Sequence, residues 1–154
     1  MWLRIGTSGW NYPTGRGTWN GICYPLPENR QRGFDELAFY AERFNVVEVN
    51  STFYGQPRAN AAQWWDHDQA EDRDNYYYSG KELEPIVSTV RPAQQAAKKA
   101  YLLLNNHFSA QAVANATTLK KMLDEPVTVP MPVEFIERFP DLAGMPTLPR
   151  ARLL

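Results

Sequence analysis

Three short apolar runs in this chain each end in a cluster of polar side chains: Thr7-Ser8, then Asn50-Ser51-Thr52 with Tyr54, then Asn105-Asn106-His107. Hydroxyl, amide, phenol and imidazole groups of this kind can orient a polyol or a phosphate and move its protons. Glu48 stands among valines in Val46-Val47-Glu48-Val49, just ahead of the second cluster. Burial there would disfavour its charged form and raise its pKa, as suits a general acid or base. The competing reading is an ion pair, with Arg4 on the first apolar run as a partner. His107 can act as a base, a metal ligand or an anion donor, against the alternative of a histidine satisfied by backbone groups. The candidate catalytic residues are therefore Glu48 and His107. The candidate substrate-binding residues are Thr7, Ser8, Trp10, Asn50, Thr52, Tyr54, Asn105 and Asn106.

Other reactive side chains carry weaker signals. Trp10, Tyr12, Trp19 and Tyr24 can wall a ligand as a stacking surface, or simply plug the top of a small core. Cys23 has no adjacent histidine or basic neighbour to lower its pKa, which argues against a nucleophile. Trp65-Asp66-His67-Asp68 resembles a metal patch, but a lone Asp-His-Asp without spaced partners does not define a site. No metal ligands are assigned, and the sequence identifies no cofactor.

The elements that must position these groups follow from apolar spacing. Trp2-Leu3-Arg4-Ile5 reads as a strand ending in the glycine-punctuated loop Gly6-Thr7-Ser8-Gly9-Trp10. Residues 11–32, rich in Gly, Pro and Asn, form a long loop. Phe34, Leu37, Ala38, Ala41 and Phe44 recur at helical spacing and predict a helix over Phe34–Arg43, followed by a Val46–Val49 strand. Strand, helix and strand in one sheet make a right-handed parallel unit. Ser79 and Glu82 form a capping box before a helix whose apolar face is Leu83, Ile86, Val87 and Val90. Pro92 should kink or interrupt it. Tyr101–Leu104 is a third buried strand, and Ser109–Leu123 a last helix presenting Val113, Ala116, Leu119 and Leu123. A Pro-rich tail follows, with one helical turn at Pro132–Arg138. In parallel α/β folds the carboxyl ends of the strands lie on one face, so the three polar clusters should converge there.

Composition narrows the class. The chain has 154 residues, a formal net charge of -1 and one cysteine. That length fits a single domain with a real core. Near-neutral charge argues against general nucleic-acid binding. Lys98-Lys99 and Lys120-Lys121 each lie late in a helical pattern, where cations complement the helix dipole. The lone cysteine excludes an internal disulfide and fits a reducing compartment. No signal pattern opens the sequence and no apolar run approaches ~18 residues, so a cytoplasmic protein without membrane segments is expected.

The motifs Ile5-Gly6-Thr7-Ser8-Gly9-Trp10 with Tyr12, Trp19 with Tyr24-Pro25, and Phe34-Asp35-Glu36-Leu37 with Phe39-Tyr40-Ala41 are joined by Val47–Tyr54. Later come Trp64-Trp65, Asp72-Arg73 with Tyr76 and Tyr78-Ser79, and Asn105-Asn106-His107 with Gln111, Ala112 and Asn115. Together they resemble the domain of unknown function 72 (YecE-like) family over most of the chain. The resemblance implies a TIM-like barrel akin to sugar-isomerase and endonuclease-type barrels, with no established reaction.

The departure from that pattern shapes every further expectation. A (β/α)₈ barrel takes about 250 residues, so this chain is on the order of 100 short. The family's Gln-x-Pro-Pro and Arg-x-His-Gly motifs are absent, and the seam falls at about Pro57 to Asn60. An internal deletion leaves an N-terminal barrel portion (1–57), a C-terminal portion (58–125) and the tail (126–154). In a closed barrel the last strand pairs with the first. The expected fold is therefore a partial barrel: a three-stranded parallel sheet ordered second, first, last, with helices mainly on one side. Its flanking strands would be exposed edges inviting self-association. Its inner face would lack its facing half and expose apolar surface. Two functions compete: a non-catalytic product of a shortened gene, or an enzyme acting on a sugar-like or phosphorylated small molecule.

Overall fold

The computed structural model describes residues 3–10, 12, 15, 17–48, 76–96 and 98–149. The expected seam and Asn50, Thr52, Tyr54, Trp64, Trp65 and His67 lie outside the described residues. The central strand is β1 (Leu3–Ser8), joined by the long loop to α1 (Glu36–Ala41) and then β2 (Val47–Glu48). Next come α2 (Gly80–Ala96), β3 (Ala100–Leu104) and α3 (Gln111–Met122). The three strands form one parallel sheet in the expected order β2-β1-β3, with β1 central.

Registry fixes the two faces. Leu3, Ile5 and Thr7 lie opposite Ala100, Leu102 and Leu104, and Thr7 also opposite Val47. These residues lie on one face and are buried or half-buried. Arg4, Tyr101, Leu103 and Glu48 lie on the other face and are exposed, with Tyr101 at 54% and Leu103 at 39%. Alternate side chains leave opposite faces of a strand, so this division follows from the pleat.

Helix α3 contacts β1, β3, α2 and the short turn at Pro140–Leu142. All residues from Ala112 to Leu119 are consequently buried, not just the single face that the sequence spacing predicts. Thr117 and Thr118 tolerate that burial because their hydroxyls donate to the carbonyls of Val113 and Ala114, one turn back.

Several boundaries differ from expectation. Helix α1 begins later than predicted because Asp35 caps it, its carboxylate accepting from the Ala38 amide at 2.6 Å. Pro92 does not interrupt α2, which runs through both Pro85 and Pro92 to Ala96. Each proline removes a bond to a carbonyl four residues earlier, at Lys81 and Ser88, and all four residues are exposed. Water can satisfy carbonyls freed on that face, so the cost stays small. The capping box forms as expected: the Ser79 amide donates to Glu82 Oε2 at 2.9 Å, and the Glu82 amide lies 3.4 Å from Ser79 Oγ.

The Pro-rich tail is more structured than its composition predicts. The helical turn is present as α4 (Val133–Arg138), and β4 (Met131–Pro132) pairs in parallel with β5 (Thr147–Leu148). Met131, Phe135, Phe139 and Leu142 are buried in the same apolar cluster as Leu3, Ile5, Leu83 and Val113. Apolar side chains spaced along 131–142 find a ready surface on α3, and burial overrides the local preference for irregular chain. Among the described residues, no helix is long and apolar enough to cross a membrane.

Candidate functional site

At the carboxyl end of β1 the chain leaves the sheet through Gly9, whose φ of +85° favours glycine. Ser8 lies opposite Glu48 in the sheet register, and its hydroxyl donates to Glu48 Oε2 at 2.6 Å. The Gly9 amide donates to the Glu48 carbonyl at 2.8 Å, which holds the two strand ends together. Glu48 is exposed, not buried as the surrounding valines led one to expect. Its strand is at the sheet edge, and its side chain lies on the open face. Arg4 does not serve as its partner; the Arg4 guanidinium donates to the Asn45 carbonyl at 2.8 Å.

Thr7 faces the other way. It is fully buried, with its amide donating to Tyr40 Oη at 2.8 Å and its hydroxyl to the Gly9 carbonyl at 2.6 Å. Tyr40 in turn donates to the Val46 carbonyl at 3.0 Å, bolting α1 beneath β1 and β2. Burial pushes the Tyr40 phenol up to about 12, so it remains a proton donor in this network. Gly6 is required beside it: a Cβ there would stand 2.0 Å from the Val46 carbonyl oxygen.

The long loop reaches over β1 to the end of β3. Trp19 is fully buried and its indole N–H donates to the His107 carbonyl at 2.6 Å. Tyr12 stacks on the His107 ring with centroids 4.6 Å apart and 20° between planes. Tyr12 Oη also donates to the Ser8 carbonyl at 3.0 Å, linking the ends of β1 and β3. The Ser109 amide donates to the Gly17 carbonyl at 2.8 Å, and Gly17 lies so close to the Phe108 ring that a Cβ would meet it at 2.4 Å. Trp10 is half-buried, and its carbonyl accepts from the Tyr24 hydroxyl. Of the four aromatics, Trp19 and Tyr24 plug the core, while Trp10 and Tyr12 are half-buried beside the strand ends.

The turn after β3 is strained. Ser109 and Ala110 have φ of 52° and 62°, a left-handed conformation unusual for residues with a Cβ. Asn105 is exposed, whereas Asn106 is buried and structural in its contacts. The Asn106 amide nitrogen donates to the Tyr76 carbonyl at 2.9 Å and to Asn115 Oδ1 at 2.8 Å. Asn115 completes the clamp, donating to the Tyr78 carbonyl and accepting from the Tyr78 amide. Asn106 Oδ1 is buried with no protein partner. Sequence reading gave no role to Asn115, although an amide between Val113 and Ala116 on an apolar helix face signals a buried polar clamp.

The Cys23 thiol is buried, and desolvation pushes it up to about 12, so it is no nucleophile. Among the described residues, no group of three or more His, Cys, Asp or Glu side chains is placed to hold a metal ion.

Fold and rim together define a parallel α/β protein with polar side chains gathered at the carboxyl ends of β1, β2 and β3. The family model described as "Protein of unknown function DUF72" matches residues 4–72 and 66–135, and the chain belongs to that family. Comparison with curated proteins and with solved structures returned no match.

Proposed function

We propose that this chain is a shortened member of its family that lacks the facing half of a barrel and does not catalyse a reaction by itself. The observation that carries this reading is the open face of the sheet, where Arg4, Glu48, Tyr101 and Leu103 are all exposed. In a closed barrel that face is packed interior. A general acid or base at the rim works by desolvation and by partners on opposing strands, and Glu48 instead meets solvent. The match of the family model in two overlapping stretches, where an uninterrupted member would give one, supports the same reading. The protein should show no turnover of sugar phosphates or polyols above that of Glu48→Gln. Turnover by the wild type that is abolished in Glu48→Gln would overturn it.

A second reading has one observation in its favour. The 2.6 Å bond from Ser8 orients the Glu48 carboxylate at the strand ends. The enzyme reading gives Glu48 the acid or base role on a sugar-like or phosphorylated small molecule. His107 is its partner, and Ser8, Trp10, Asn50, Thr52, Tyr54 and Asn105 line the ligand.

The open sheet also implies self-association. Strand β3 has only β1 as a hydrogen-bonded neighbour among the described residues, and its sequence Ala100-Tyr101-Leu102-Leu103-Leu104 carries no charge to protect that edge.

A further inference from the structure

At the opposite end of the sheet from the rim, the ends of α1 and α3 and the segment before β4 enclose a small cleft. It is lined by Glu42, Arg43, Lys120, Val127, Thr128 and Val129, among others, and measures about 30 Å³. Such a space holds about two ordered waters, or the equivalent oxygens of a ligand whose remainder sits in the mouth.

The cleft is rich in donors and short of negative charge. The Arg43 side chain is only 5% exposed, stacked over the Phe39 ring at 3.4 Å. Its terminal nitrogens donate to the Phe39 carbonyl at 2.7 Å, the Pro130 carbonyl at 2.8 Å and Glu42 Oε2 at 3.1 Å. Its buried Nε–H has no protein acceptor. Lys120 is half-buried, and its ammonium donates to the Arg43 carbonyl at 2.9 Å. The carboxylate that contacts Arg43, Glu42, is 62% exposed and so strongly screened. Glu125 adds a second negative charge near Lys120, half-buried and outside ion-pair distance. Among the described residues, the backbone N–H groups of Val127, Thr128 and Val129, which border the same cleft, donate to no protein acceptor.

Two desolvated cations, with one screened carboxylate in contact and a second, Glu125, outside ion-pair distance, are costly unless a further anion offsets them. Arginine and lysine with backbone N–H groups are the donor set that recognises tetrahedral oxyanions. We propose that this cleft binds a phosphate or phosphoryl group, held by Arg43 and Lys120 and bordered by the amides of Val127–Val129. The carbonyl contacts of both cations hold them in place, while the Lys120 N–H groups beyond that contact, with the positive charge of Arg43 behind them, serve the ligand.

The test is titration of inorganic phosphate into the full chain at constant ionic strength, followed by calorimetry and by amide chemical shifts. Glycerol 3-phosphate is titrated in parallel, and the tighter of the two ligands tells a free ion from a phosphomonoester. Saturable binding, with shifts at Val127–Val129, is expected. Lys120→Gln should weaken it at least tenfold, while Lys121→Gln, on the exposed neighbour, and Glu48→Gln, at the rim, should leave it unchanged. Absence of saturable binding by the folded wild type would overturn the proposal. So would equal weakening by Lys121→Gln, which would mark diffuse charge attraction. Retention of binding in Glu48→Gln separates this site from any ligand at the rim.

Discussion

At the residue scale, buried polar groups in this chain hold elements together more than they face a ligand. Asn115 accepts from Asn106 and from the Tyr78 amide, and donates to the Tyr78 carbonyl. Asn115→Ala should destabilise the protein by about 2–4 kcal/mol, because it strands several buried donors and acceptors at once. Urea denaturation of the variant measures this, and a change below ~0.5 kcal/mol would contradict the clamp. Cys23 and Tyr40 set a pH limit. Burial raises the thiol from 9.0 to about 12 and the phenol from 10.0 to about 12. The folded state therefore keeps protons that the unfolded chain releases. The stabilising contribution is complete below pH 9.0 and is lost as pH rises toward 12. Denaturation midpoints should fall from pH 8 to pH 10.5, and Cys23→Ala should flatten part of that fall.

At the element scale, local chemistry and tertiary contact decided different things. The capping box at Ser79 and Glu82 was legible because its two reciprocal bonds need only four consecutive residues. Ser79→Ala should cost about 1 kcal/mol, read from thermal or urea unfolding. The continuity of α2 through Pro92 was not legible, since it depends on which side of the helix meets water. Pro92→Ala should stabilise the protein modestly by restoring a donor to the Ser88 carbonyl, and a loss of stability would show that the proline is needed there. In the tail the helical turn was legible, but its packing was not, for a similar reason. Proline content argues for irregular chain, but the burial of Met131, Phe135 and Phe139 is set by a surface that forms elsewhere.

At the scale of the whole molecule, the sheet order β2-β1-β3 places the last strand beside the first. That order leaves Arg4, Glu48, Tyr101 and Leu103 exposed on one face, and the outer edge of β3 without a neighbour among the described residues. Sedimentation velocity should therefore show association that grows with concentration. Leu103→Lys, which puts a charge on the exposed face without touching the core, should reduce it. A wild-type protein that sediments as a monomer across a hundredfold concentration range would refute this.

The sequence by itself determined that strands would end in polar clusters, that the sheet would be parallel, and that its first strand would be central. Apolar runs and their spacing carry the first two locally, and the family resemblance implies the third. Only the tertiary structure decided what those clusters face. It turned Thr7 and Asn106 inward onto Tyr40 and Asn115 and left Glu48 in solvent. It also brought Arg43 and Lys120, far apart in sequence, into one cleft. The orientation of a side chain at a strand end depends on registry and on what packs against each face. Neither is written in the residues beside it.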